Sequence, residues 1–280
     1  GDMMKKYLIA LDLDGTLLSD WQTISLKTKQ YLKDLSKQGH KIVIATGRPF
    51  RSSEKFYDEL ELDTPIINYN GGLVTNKHDK NFKPYSLTIP REHVIDIFET
   101  NKEVIHNAFG EVGDDIYLYE DTEEIRPLLH YFNGASLTVG NFDDILHEDT
   151  NGFLIVAKKG KADVIEDYVA KQYHRKVLAR NWGHHYNFVI ELYTPETTKG
   201  AGLKYVAEKS PRFVAEHLGF EPKDIIAFGD AHNDIEMLQY AGTGVAMINA
   251  QDVLKEHADV ITTHSNTEDG IVKFLEEFFK

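Results

Sequence analysis

Short apolar runs without polar alternation, each closed by a polar turn and followed by an amphipathic stretch, organise the chain up to about residue 82. Such runs are strands covered on both faces, and strands alternating with helices build a parallel sheet. The pattern predicts strands at Tyr7 to Leu11, Lys41 to Ala45 and Pro65 to Asn68, with a helix over Ser25 to Gln38. Ser25 suits the N-cap of that helix and Gly39 its end. Asn70-Gly71-Gly72 marks a turn, after which Leu73 to Thr75 and Phe82 to Tyr85 can pair as a hairpin.

The regular alternation then stops. Between Ile89 and Phe188 the spacing predicts helices at Arg91 to Thr100, Glu123 to Phe132 and Ala162 to Gln172. Strands are expected at Ile116 to Tyr119, Phe153 to Ala157 and Tyr186 to Leu192. From Thr197 the earlier style returns with a helix over Ala201 to Leu218, a strand at Ile225 to Phe228 and a helix over Asn233 to Tyr240. Strands at Val245 to Met247 and Val260-Ile261 follow, then an amphipathic helix over Gly270 to Phe279. The expected fold is α/β: a Rossmann-like parallel-sheet core of residues 1–85 and 189–280, interrupted by an inserted α/β domain of residues 86–188.

Composition narrows the function. A chain of 280 residues with 41% hydrophobic and 27% charged residues can bury a full core. Its net charge of −14 opposes nucleic-acid or anionic-membrane partners. Without cysteine it has no disulfide, thiolate zinc site or cysteine nucleophile. No apolar stretch has the length of a membrane span and no signal-peptide pattern opens the chain, so a cytoplasmic enzyme is expected, as a monomer or weak homodimer. Gly1-Asp2 ahead of Met3 reads as an expression remnant.

Candidate chemistry gathers at the predicted strand ends, where open α/β sheets bind ligands. Asp12-Leu13-Asp14-Gly15-Thr16 closes the first strand, and residues two apart on an extended chain face the same side. An Asp-x-Asp pair also occurs in metal-binding glycosyltransferases and in plain turns. Thr46-Gly47-Arg48 closes the second strand, with a hydroxyl and close backbone amides that suit a phosphate oxygen, or an ordinary turn. Lys199, in Thr197-Thr198-Lys199-Gly200, opens a helix and can set a positive charge against phosphate and carboxylate, or stand as a solvated lysine. Gly229-Asp230-Ala231-His232-Asn233-Asp234 offers Asp230 as a hard-oxygen ligand for Mg²⁺, with Asn233 and Asp234 orienting metal-bound water or phosphate, or capping a helix. The four in this order point to phosphoryl transfer.

On these motifs and the Asn70-Gly71-Gly72 turn, nearly the whole chain resembles the haloacid dehalogenase-like hydrolases, specifically the Cof-like phosphatases with a large α/β cap between the second and third motifs. Ala231 stands where relatives often carry glycine. The resemblance implies a Mg²⁺-dependent phosphatase of small phosphorylated metabolites, sugar phosphates first. Asp12 would be the nucleophile that forms an aspartyl-phosphate, and Asp14 the acid and then base. The metal would sit on Asp12, the Asp14 carbonyl and Asp230, with Asp234 behind them. Thr46, Gly47, Lys199 and Asn233 would bind the phosphoryl group. Arg48 is a candidate substrate contact, as is the polar and aromatic cluster of Arg180, Trp182, His184, His185 and Asn187, which equally fits a solvated hairpin tip around Gly183. The acidic stretch from Glu111 to Glu124 reads as a solvated face. A phosphomutase and a non-enzymatic phosphate-binding module are the rival readings.

Overall fold

A computed structural model describes residues 5–130, 135–186, 188–209 and 219–280. Its contacts divide the chain into two compact units: residues 1–48, 53–85 and 198–280 form one, and residues 49–52 and 86–197 the other. In chain order the elements begin with Leu8–Leu11 (β1), Leu26–Lys37 (α1), Lys41–Ile44 (β2), Glu54–Glu59 (α2), Ile66–Asn68 (β3), Leu73–Thr75 (β4) and Tyr85–Ser86 (β5). The second unit supplies Arg91–Thr100 (α3), Ile105–Val112 (β6), Asp115–Leu118 (β7), Arg126–Leu129 (α4), Leu137–Val139 (β8), Phe142–Ile145 (α5), Gly152–Ala157 (β9), Ala162–Tyr173 (α6), Leu178–Asn181 (β10) and Val189–Tyr193 (β11). Lys199–Lys209 (α7), Ile225–Gly229 (β12), Ile235–Tyr240 (α8), Thr243–Ala246 (β13), Asp252–Glu256 (α9), Val260–Ile261 (β14) and Gly270–Phe278 (α10) complete the first.

The core of the first unit is a parallel five-stranded sheet in the order β14-β13-β12-β1-β2. The expected parallel sheet is therefore present, and its middle is the four-residue run Leu8-Ile9-Ala10-Leu11, buried throughout. One face packs Leu8, Ala10 and Val43 with Leu203 and Val206 of α7 and Met237 and Leu238 of α8. Each such side chain contributes about 1.5–3 kcal/mol by leaving water. Ser25 caps α1 as expected, its hydroxyl accepting from Thr28 N–H at 3.1 Å. A parallel bridge from Ala45 to Ile67 brings β3 alongside the end of β2, and β4 turns back on β3.

The second unit is a six-stranded sheet in the order β10-β11-β9-β6-β7-β8, antiparallel except between β7 and β8. Val94, Ile97 and Phe98 of α3 and Ile165 and Val169 of α6 pack with Phe153 and Ile155 of β9. Since β11 pairs with both β9 and β10, residues up to Thr197 go with this unit, later than the expected end at 188. The long strand β6 was not expected: His106, Asn107 and Gly110 interrupt its apolar pattern, although Gly110 and Asn107 are buried within the sheet.

Residues 49–52 join this unit through Arg51, whose side chain is 1% exposed. Its Nη2 lies 2.5 Å from Glu111 Oε2 and 2.5 Å from the Leu129 carbonyl, and Nε donates to the His130 carbonyl at 2.7 Å. Glu111 is thus a buried ion-pair partner and not part of a solvated acidic face. A charge is tolerated there because its opposite and two carbonyls replace water. The ends of the predicted helices Glu123 to Phe132 and Ala201 to Leu218 fall partly outside the described residues.

Candidate active site

Parallel strands end with their carbonyls and following turns on one edge, so β1, β2 and β12 deliver three polar turns to one place. The Asp12 N–H still continues the ladder, donating to the Phe228 carbonyl at 3.2 Å, and Leu17 N–H then folds back to the Asp12 carbonyl at 3.1 Å. The wide turn Leu13–Leu17 depends on Gly15, whose φ of +78° is left-handed. A Cβ on Gly15 would lie 2.2 Å from Asp230 Oδ2, so glycine makes room for the Asp230 carboxylate against the first turn. Thr16 Oγ1 donates to Asp230 Oδ1 at 2.8 Å and ties them together.

Lys199, at the start of α7, is 1% exposed and reaches Asp12 Oδ1 at 2.8 Å and Asp234 Oδ1 at 2.6 Å. The other Asp234 oxygen accepts from the N–H groups of Asp230 at 2.9 Å and Ala231 at 3.1 Å. Asp234 therefore spends its carboxylate on holding its own turn and Lys199. Oxygens of Asp12, Asp230 and Asp234 all lie within 4.8 Å of one another. Burial, with the neighbouring Asp234 charge, pushes Asp12 well above the ordinary carboxylate range against the pull of Lys199. Burial likewise raises Asp230. Burial alone would lower Lys199, but Asp12 and Asp234 hold it above its usual value. Among the described residues one lysine leaves this acidic cluster short of positive charge, and clustered carboxylate oxygens suit a hard divalent cation such as Mg²⁺. By that test Asp12 and Asp230 fit as ligands with Asp234 behind them.

Thr46 is 1% exposed and its hydroxyl accepts from Arg48 N–H at 3.0 Å. Arg48 grips the neighbouring acid: Nε donates to Asp14 Oδ2 at 3.0 Å, Nη2 to Asp14 Oδ1 at 2.5 Å and to the Trp21 carbonyl at 2.9 Å. This two-pronged contact gives Asp14 one fixed orientation. Asn233 Nδ2 donates to Asn70 Oδ1 at 3.1 Å, and Asn70 N–H to the Thr46 carbonyl at 3.0 Å. A Cβ at Gly47 would meet Asn70 Oδ1 at 3.1 Å. Asn70 thus belongs to the site, although its sequence context read only as a turn. The signal was its place at the end of another strand; in the structure its φ is +55°.

Asp12, Asp14, Thr46, Gly47, Arg48, Lys199, Asp230, Asn233 and Asp234 all fall in the first unit, and the remaining candidates in the second. There Arg180 lies over the Tyr193 ring at 4.2 Å, and Trp182 Nε1 donates to Glu191 Oε1 at 3.2 Å. Trp182 and Tyr186 are exposed, as is His185. Asn187 and the side chain of His184 lie outside the described residues.

A family model for haloacid dehalogenase-like hydrolases matches residues 9–275, which carry all four motifs. The chain belongs to the haloacid dehalogenase-like hydrolases. It is similar to a 5-amino-6-(5-phospho-D-ribitylamino)uracil phosphatase of Bacillus subtilis, with 38% identity over 98% of each chain. A pyridoxal phosphate phosphatase of Escherichia coli is 28% identical over 97% of this chain and 98% of its own. A haloacid dehalogenase-like hydrolase of Bacteroides thetaiotaomicron has the same fold, with TM-score 0.80, 27% identity and coverage of 98% of this chain and 100% of its own. This haloacid dehalogenase-like hydrolase is an enzyme of the phosphoric monoester hydrolase type.

Proposed function

We propose that the chain is a Mg²⁺-dependent phosphatase of small phosphorylated metabolites, working in the cytoplasm through an aspartyl-phosphate on Asp12. The observation that carries this reading is the buried Lys199 bridging Asp12 and Asp234 beside Asp230, an arrangement with a candidate nucleophile, a fixed cation and an oxygen cluster in one place. A phosphate monoester repels anionic nucleophiles, so charge must be neutralised and attack aligned. Asp12 and Asp230, with the Asp14 carbonyl, would hold Mg²⁺, which when bound supplies positive charge to the phosphoryl oxygens and the attacking carboxylate.

The chain's own groups do the rest. An Asp12 carboxylate oxygen attacks phosphorus as the ester P–O bond breaks, and Asp14 delivers a proton to the departing oxygen. Asp14 then takes a proton from water, whose oxygen displaces Asp12 from phosphorus and releases inorganic phosphate. Both Asp14 oxygens accept from Arg48, so proton delivery exchanges one of those hydrogen bonds. Lys199, the Thr46 hydroxyl and Asn233 would orient the transferring group.

For the substrate, the similarity to a phosphatase of a phosphorylated ribityl pyrimidine favours a phosphate on a sugar or sugar-alcohol chain. Arg180, Trp182, His184, His185 and Asn187 remain candidates for reading its other end. Phosphate release from a panel of sugar phosphates, phosphoribitylaminouracil, pyridoxal phosphate and nucleotides, with Mg²⁺ and with chelator, tests the proposal. Release only with Mg²⁺ supports it. Isomer interconversion without release would replace it with a phosphomutase, and binding without turnover by a phosphate-binding module.

A further inference from the structure

One segment outside the four motifs holds two of their turns. After β13 the chain continues Met247-Ile248-Asn249-Ala250-Gln251. Asn249 is exposed, yet its Nδ2 donates to the Gly15 carbonyl at 2.9 Å while its Oδ1 accepts from Asn266 N–H at 3.2 Å. Both partners are backbone groups of fixed polarity, so only one orientation of this amide serves. Exposed Gln251 accepts at Oε1 from His232 N–H at 2.9 Å, and its own N–H donates to the Asp230 carbonyl at 2.8 Å. Met247 N–H adds a bond to the Gly229 carbonyl at 3.0 Å.

The two turns need such support. Asp12, Asp230 and Asp234 repel one another across less than 4.8 Å, and the first turn pivots on a left-handed glycine, the residue with the most backbone freedom. A bond to the Gly15 carbonyl fixes the plane of the Gly15-Thr16 peptide, and with it the Thr16 hydroxyl that meets Asp230. A bond to His232 N–H fixes the turn that carries Asp230 itself.

Resting on the metal-dependent reading of this site, we infer that Asn249 and Gln251 are positioning residues that hold the Gly15 and Asp230 turns at the separation a divalent cation requires. Asn249 acts as a donor and Gln251 as an acceptor. Neither touches the reacting groups, and both side chains are exposed, so truncation leaves the core packing intact.

The test is calorimetric binding of Mg²⁺ alone to the full chain, without substrate, for wild type, Asn249→Ala, Asn249→Asp, Gln251→Ala and Gln251→Glu. Loss of one such hydrogen bond corresponds to about a fivefold change in an equilibrium constant. Asn249→Ala, Asn249→Asp and Gln251→Ala should each raise the Mg²⁺ dissociation constant about three- to tenfold, with unfolding midpoints near wild type. Gln251→Glu keeps the acceptor for His232 and should stay within about twofold. The two acids add the same charge on the same segment, so their difference reports donor against acceptor. If Asn249→Ala unfolds, Asn249→Asp still keeps the Asn266 contact and carries the comparison. Asn249→Asp binding Mg²⁺ as tightly as Gln251→Glu overturns the inference while leaving the proposed function standing. Wild type that binds no Mg²⁺ overturns the metal-dependent reading and this inference with it.

Discussion

Replacing Lys199 with methionine removes the only side-chain cation in direct contact with Asp12 and Asp234 among the described residues, while keeping the length and apolar stem of the side chain. Asp12, Asp234 and Lys199 are all nearly or fully buried, at 6%, 0% and 1% exposure, so water cannot take over the lost role. Removing one partner of a buried ion pair costs about 3–5 kcal/mol, a large share of a typical 5–15 kcal/mol stability. In chelator at pH 7.5, equilibrium urea unfolding should show a loss of that order. Burial and the Asp234 charge already hold Asp12 above the usual carboxylate range, and without Lys199 its proton binds still more tightly in the folded state. A carboxylate whose folded pKa lies above its unfolded value contributes stability at low pH and loses it as pH rises through the folded pKa. The deficit of Lys199→Met should therefore shrink between pH 7.5 and 5. Adding Asp234→Asn should return about 1–2 kcal/mol, since it removes one of the two facing charges and leaves an amide oxygen for the Asp230 and Ala231 N–H groups. A loss below about 1 kcal/mol, or one that does not change with pH, would refute the claim that Lys199 neutralises this cluster.

Two other perturbations follow from the same geometry. Gly15→Ala sets a methyl 2.2 Å from Asp230 Oδ2 at a left-handed position, and should lower kcat/KM at least about 100-fold with a stability loss of about 1–2 kcal/mol. Activity within tenfold of wild type in Mg²⁺-saturated assays would contradict it. His40, 1% exposed, accepts at Nδ1 from Tyr7 N–H, and burial with the nearby Lys6 charge lowers it from 6.5 to about 4. Its unfolded state binds the proton more readily, so stability is lost as pH falls from about 6.5 to about 4, by roughly 2–3 kcal/mol. Urea midpoints across that range should flatten in His40→Gln, and an unchanged slope would remove His40 as the cause.

The parallel sheet and its polar turns were legible because their signals are local. Four consecutive apolar residues before Asp12, and strand ends at Thr46 and Asp230, need no knowledge of distant partners. Features built by partners far along the chain were not legible. The grip of Arg48 on Asp14 spans 34 residues and leaves no trace in the sequence around either. Glu111 sits among acidic neighbours and looked solvated, whereas Arg51, 60 residues away, buries it. Strand β6 broke the periodicity rule because a glycine beneath Phe153 and a buried asparagine that bonds the Glu120 carbonyl occupy core positions. Asn70 and Asn249 carried no chemical signature of their own, since an asparagine beside glycine or alanine marks a turn as readily as a support for one.

The nucleophile assignment is the centre of this account, and Asp12→Asn tests it most directly. The amide keeps the shape and an oxygen for Lys199 but cannot attack phosphorus. On the best substrate of the wild type at saturating Mg²⁺, with the fold checked by circular dichroism, phosphate release should fall by at least about 1,000-fold. Turnover by Asp12→Asn within tenfold of wild type would contradict the account.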